Sequence, residues 1–278
     1  MAGAGLRETA VRSNVLVWTL GGETMRTGYG TNCTAVWGRD AVLLVDPLIA
    51  PAHARMVEDA LRRHTDAPVR LLVLTHHHTD HTLGAAWFAR RGATVIAHRA
   101  CREAMAAQHP ALIASRRANP EVADLFADAE PVLPTVTVDA GVTLDAGGVE
   151  VEVWHAGVGH TPGDVFLFLP GERVAICGDL VWSGYHFNYE DASIPGARAG
   201  LRALRALDAE TFIPGHGEVG GPELLDAQAA YHDAVEAVVR EGRANGQDDR
   251  AIGAAIRARF PDYQLGIVIP SAVARFTA

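Results

Sequence analysis

Residues 69–76, VRLLVLTH, are an almost unbroken apolar run that stops at a histidine. A half-exposed strand alternates polar and apolar side chains, whereas a continuous run of this length suits a strand covered on both faces. The run passes directly into HHTDHTLG, and TLGAAWFARRG at 82–92 reads as a helix whose end carries Arg90 and Arg91 before Gly92. That ending matches the helix dipole and the left-handed glycine cap. A doubly covered strand, a knot of histidines and then a helix together point to a layered α/β chain.

The same pattern recurs along the chain. NVLVWTL (14–20), NCTAVWG (32–38) and AVLLVDP (41–47) read as short strands between Gly-containing turns. PAHARMVEDALRRH (51–64) has a helical period, with Pro51 at the first position. ATVIAH (93–98) is again a strand. Residues 99–130 are Ala-rich and helical in period, but Pro110 and Pro120 are expected to interrupt them, so about 99–134 reads as a helical insertion or lid. TVTVD, GVTLD, VEVEVWHAG, DVFLFLPG and RVAICGD then return to strands. GARAGLRALRALDAE (196–210) is an amphipathic helix, TFIPGHG (211–217) is a strand entering a loop, and about 222–258 holds two C-terminal helices. The order predicts two similar αβ halves packed sheet against sheet, with helices outside, in one domain over 1–278.

A chain of 278 residues, 49% hydrophobic, can bury a large core, which excludes general disorder. A net charge of −9 with no basic stripe argues against nucleic acid as a partner. All 24 basic residues are arginine, as in a codon-biased chain, so any mechanism that needs a lysine is excluded. The run VLVWTL is too short for a signal sequence or a membrane span, and a cytoplasmic protein without membrane association is expected. Cys33, Cys101 and Cys177 are odd in number and scattered, as reduced thiols are.

Four loops follow apolar strands, and each ends in residue types that bind metals. The first carries His76, His78, Asp80 and His81; GVGHTPGD carries His160; ICGDLVW carries Asp179; IPGHGE carries His216. Imidazole and carboxylate at strand ends are a means of aiming ligands at divalent ions, with zinc expected and iron or manganese compatible. Cys177, two residues from Asp179 and on the same side of a regular strand, is read as a packed core residue.

The HxHxDH motif at 76–81, followed in order by His160, Asp179 and His216, resembles the metallo-β-lactamase superfamily over roughly residues 15–220. The resemblance implies the four-layered αββα sandwich, with two metals at one edge between the sheets. It implies His76, His78 and His160 at the first metal, Asp80, His81 and His216 at the second, and Asp179 bridging both. His77, the variable position of the motif, is expected to point away from them. Two such ions bind a shared water and lower its pKa toward neutrality. Asp80 is the expected catalytic residue, orienting that water.

Within the superfamily, the chain lacks both the cysteine ligand and the lysine used by the commonest zinc β-lactamases. It shares the ligand set of glyoxalase II and of the lactonases, without the basic C-terminal glutathione site of the former. VWSGYHFNYED (181–191) offers Tyr185, His186 and Tyr189 as contacts for a small, partly apolar substrate. Residues 21–30 stand where relatives carry a flap, with Met25 or Tyr29 as contributors, and Leu125 and Phe126 are candidate apolar contacts from the insertion. The expected reaction is hydrolysis of an ester, lactone, thioester or amide, β-lactams included. The alternatives are a mononuclear iron enzyme of the persulfide dioxygenase type and a phosphodiesterase or nuclease.

Overall fold

The computed structural model describes residues 5–277. Its first sheet is built from β1 (Arg7–Arg12), β2 (Val15–Thr19), β3 (Asn32–Trp37), β4 (Val42–Val45), β5 (Val69–Val73), β6 (Thr94–His98) and β7 (Val136–Val138), in that spatial order. Pairing is antiparallel from β1 to β4 and parallel from β4 to β7. The second sheet runs β12 (Thr211–His216), β11 (Val174–Trp182), β10 (Val165–Leu169), β9 (Glu150–His155) and β8 (Gly141–Asp145). Only its β11–β12 pair is parallel.

The inner faces of the two sheets share one apolar core, in which Val17, Val45, Val73 and Ile96 meet Val153, Leu167, Ile176 and Ile213. The outer face of the first sheet packs on α1 (Pro51–Leu61), α3 (Ala85–Ala89) and α4 (Arg99–Ala118), through Leu44 and Leu72 against Val57, Phe88 and Met105. The outer face of the second packs on α5 (Ile194–Arg205) and α6 (Glu223–Ala244), through Phe166 and Cys177 against Leu201, Leu204 and Leu225. These are the four αββα layers that the resemblance implies. Burial of both faces explains why β5 and β10 read as continuous apolar runs. Cys177 faces the helix layer, away from the metal-ligating residue types.

Two expectations need correction, and two elements were not foreseen. The edge strand β1, RETAVR, has no apolar alternation, and its charged, exposed side chains are what an unpaired edge tolerates. The helix expected at 82–92 is split into α2 (Thr79–Thr82) and α3, because Gly84 packs against the chain after β4. A Cβ there would lie 2.0 Å from the Pro47 carbonyl oxygen. Pro110 does not interrupt α4, which runs through it for 20 residues. Proline removes one hydrogen bond, to the carbonyl of exposed Ala106, where water substitutes, while Met105, His109 and Ile113 bury the opposite face. Finally, α7 (Asp249–Arg259) is followed by a further helix, α8 (Ile269–Thr277).

Candidate metal centre

The predicted ligands converge at one edge of the sandwich, where all but Asp179 follow or end a strand; Asp179, expected in a loop, lies inside one. His76 and His78 lie in the loop after β5, Asp80 and His81 open α2, His160 comes from the β9–β10 loop, Asp179 sits within β11, and His216 ends β12. Two glycines make room. Gly178 adopts a positive φ of 53° where the β11–β12 register shifts, which turns Asp179 into the site. At Gly215 a Cβ would stand 1.8 Å from Asp179 Oδ1.

Besides a cluster of His77, His78 and Asp191, the predicted ligand atoms fall into two groups, His76, His78, His160 and Asp179 in one and Asp80, His81 and His216 in the other, each within 4.8 Å. Asp179 reaches both. Its Oδ2 lies 3.5 Å from His76 Nε2, 3.3 Å from His160 Nε2 and 3.4 Å from His216 Nε2, and its Oδ1 lies 3.1 Å from His81 Nε2. Asp80 Oδ2 lies 3.3 Å from His216 Nε2 and accepts from Thr31 Oγ1 at 3.0 Å.

Outer partners fix most of the imidazoles. Asp46 Oδ2 accepts from His81 Nδ1 at 2.8 Å, and the Tyr29 carbonyl accepts from His216 Nδ1 at 2.9 Å. Asp46 also accepts from the Thr75 hydroxyl at 2.6 Å, which leaves that oxygen to accept from His76 Nδ1 at 3.0 Å. Asp191 Oδ2 accepts from His78 Nε2 at 3.1 Å. In each case the opposite ring nitrogen faces inward, the arrangement that supports metal-ligating histidines. His160 has no such partner, and its Nδ1 is buried without one.

The donor set fits divalent cations. His76 Nε2 and Asp179 Oδ1 are buried without a hydrogen-bond partner, and a buried lone pair of that kind is costly unless something positive meets it. Burial, with the neighbouring His81, holds His76 well below the usual histidine range, and burial takes His160 to about 3. Both rings are neutral at pH 7, the form in which imidazole binds a metal. Burial opposes charge on His216 as well, but Asp179 and Asp80 outweigh it and raise the ring to about 9. His81 is raised in the same way. Those two positions accept positive charge, whether proton or metal, and compete for it.

The centre opens into a cavity of about 480 Å³ whose walls include Tyr29, Leu112, Arg116, Trp182, Asp191 and Ile267. His77 also lines it, with Nε2 3.4 Å from Asp191 Oδ2, and clusters with His78 and Asp191 rather than with either group that Asp179 reaches. Tyr29 reaches the cavity from the 21–30 segment, whereas Met25 stands behind it against Arg116.

Tyr185, His186 and Tyr189 do not line the cavity. All three are buried beneath the C-terminal helices, in a cluster with Tyr231, Val235, Ile252 and Ile269. Tyr189 bonds His232 Nδ1 at 2.6 Å, His186 Nδ1 bonds Tyr231 at 3.0 Å, and the Tyr185 ring fills the space beside Gly30. The apolar faces of α6, α7 and α8 claim these aromatics for packing. Of that aromatic segment, Trp182 lines the cavity and stacks on His216 at 3.9 Å. Phe126 is likewise buried, under Arg116, and Leu125 opens onto a separate surface hollow. Sequence reading missed Asp46, Asp191 and Arg116. Asp46 carried a signal, an aspartate closing the apolar run AVLLV; the other two had none without their spatial partners.

Among the described residues no helix is long and apolar enough to cross a membrane. Residues 26–216 match the family model of the metallo-beta-lactamase superfamily. A hydroxyacylglutathione hydrolase of Acidiphilium cryptum is 34% identical over 219 residues, covering 77% of this chain and 74% of that protein. The alpha subunit of a 2,4-dinitroanisole O-demethylase from a Nocardioides strain is 29% identical over 72% of this chain, an alignment that spans 55% of the subunit. A metallo-beta-lactamase structure from Pontibacter korlensis superposes with a TM-score of 0.67 at 22% identity, over 81% of this chain and 98% of that one. With the fold, the ligand residue types and a family match over most of its length in agreement, the chain belongs to the metallo-beta-lactamase superfamily.

Proposed function

We propose that this protein is a dinuclear metal-dependent hydrolase acting on the carbonyl carbon of an ester, lactone, thioester or amide in a small, partly apolar molecule. The observation that carries the reading is the position of Asp179, whose two oxygens face two separate groups of histidines on one cavity floor. His76, His78 and His160 would hold one divalent cation, Asp80, His81 and His216 a second, and Asp179 both. Zinc suits the donor set best, and iron or manganese is compatible with it. Two such ions, when bound, supply Lewis acidity and water acidified to near neutrality.

The chain's own residues do the rest. Burial alone would favour the protonated form of Asp80, but His81 and His216 outweigh it and hold the carboxyl well below its usual range. Asp80 is therefore ionised at neutral pH and acts as a hydrogen-bond acceptor. Thr31 and His216 both engage its Oδ2, which leaves Oδ1 to accept a hydrogen bond from the attacking water and orient it. Trp182 and Leu112 provide apolar surface for the substrate.

Elemental analysis of protein purified without added metal or chelator tests the proposal. It is paired with assays of a nitrophenyl ester, a simple lactone, a thioester, a chromogenic β-lactam and 2,4-dinitroanisole, the last because one relative is named for it. About two zinc ions per chain with chelator-sensitive cleavage is the expected result. One iron per chain without cleavage would sink it and favour the mononuclear oxygenase.

A further inference from the structure

The cavity wall opposite in chemistry to the acidic metal centre is a single arginine. Helix α4 presents Gln108, Leu112 and Arg116 to the cavity at intervals of four residues, one face of a helix. Among the residues that line the cavity, Arg116 is the only arginine, while Asp80, Asp179, Glu190 and Asp191 are acidic.

Arg116 has no carboxylate partner among the described residues. Its Nη2 donates to Thr79 Oγ1 at 3.0 Å, its Nη1 lies 2.7 Å from the Met25 thioether, and its Nε is buried with no acceptor. The ring of Phe126 lies beneath the guanidinium, 5.5 Å from Cζ. Tyr29 lines the same cavity as Arg116. Neighbouring arginines are differently committed: Arg26 pairs with Asp124, and Arg117 donates to the carbonyls of Phe126, Ala127 and Ala129. Arg117 thus serves the end of α4, and Arg116 is free of that duty. A half-buried guanidinium set among a thioether, a hydroxyl and an aromatic ring is poorly compensated until an anion meets it.

We propose that Arg116, assisted by the Tyr29 hydroxyl, is the specificity residue for a substrate carboxylate. Resting on the hydrolase reading, the substrate is then a carbonyl compound with a carboxylate arm, joined to the reacting group by a short apolar linker. The arginine fork matches a carboxylate, and the cavity volume limits the molecule to a small one. Repulsion by Glu190 and Asp191 steers the arm toward α4.

The test uses the metal-loaded protein, glutarate as a binding probe by calorimetry, and two esters, 4-nitrophenyl acetate and mono-4-nitrophenyl glutarate. Wild type is expected to bind glutarate and to prefer the anionic ester. Arg116→Gln is expected to weaken glutarate binding about tenfold or more and to reduce the ester preference by a similar factor through KM. Arg116→Lys, which keeps the charge and loses the fork, falls between the two and serves if the glutamine variant misfolds. Glutarate binding absent in wild type, or equal in wild type and both variants, would overturn the proposal. Arg116-dependent binding with neither ester cleaved would uphold the anion site and sink the hydrolase reading instead; cleavage of both esters with a preference indifferent to Arg116 would do the reverse.

Discussion

His160 Nε2 lies 2.9 Å from His78 Nδ1, although the two residues are 82 positions apart and belong to loops of different sheets. The Nε2–H of His78 is donated to Asp191, so its Nδ1 lone pair points at His160. A close approach of two ring nitrogens beside the Asp179 carboxylate marks the point where ligands from both halves of the sandwich meet.

Asp179→Ala removes the one side chain that faces both groups. Metal content is expected to fall to about one ion per chain or none, with loss of hydrolysis. Elemental analysis showing wild-type stoichiometry would refute the bridging role.

His77 stands outside the two groups that Asp179 faces, in a separate cluster with His78 and Asp191. His77→Ala is expected to leave metal content nearly unchanged; loss of metal would show that the register of the HHHTDH motif had been assigned to the wrong histidines.

Asp191 holds His78 by the nitrogen remote from the ligand group. Asp191→Asn keeps the shape but weakens that hold, and metal affinity is expected to drop by about tenfold. Competition against a chromogenic chelator measures it. Equal affinities would show that His78 is oriented by other contacts.

Tyr189 is a packing residue, and its hydroxyl joins a buried chain. The Trp182 amide donates to Gln228 Oε1 at 2.9 Å, Gln228 Nε2 bonds His232 Nε2 at 3.1 Å, and His232 Nδ1 bonds Tyr189 at 2.6 Å. Tyr189→Phe is expected to cost about 1 kcal/mol of stability or somewhat more, since it leaves His232 Nδ1 buried without a partner. KM should not move. A large KM change at unaltered melting temperature would restore Tyr189 to the substrate site.

Acid should attack the same chain. Burial lowers His232 from the ordinary 6.5 to about 4. Above pH 6.5 the ring is neutral in both folded and unfolded protein. As the pH falls from 6.5 to about 4 the unfolded state takes up the proton and the folded state resists, so stability is lost across that window. The loss amounts to about 3 kcal/mol from this residue. Denaturation midpoints at pH 7 and pH 4.5 should therefore differ less in His232→Gln than in wild type; an identical difference would remove His232 from the acid response.

Apolar strands with histidine or aspartate in or just beyond them made the layered fold and the candidate site legible, because a doubly covered strand and an HxHxDH spacing are local properties. Asp46 was nearly as legible, since it closes such a strand. The walls of the cavity were decided by tertiary structure. Tyr185, His186 and Tyr189 lie next to a ligand in sequence but bury against helices that begin at Glu223, over thirty residues later. Arg116 and Asp191, one beyond a proline expected to end its helix and the other among aromatics, acquire meaning only from Thr79 and His78 across the cavity. Strand periodicity is written in neighbouring residues, whereas a pocket wall is the sum of distant apolar faces that no short window contains.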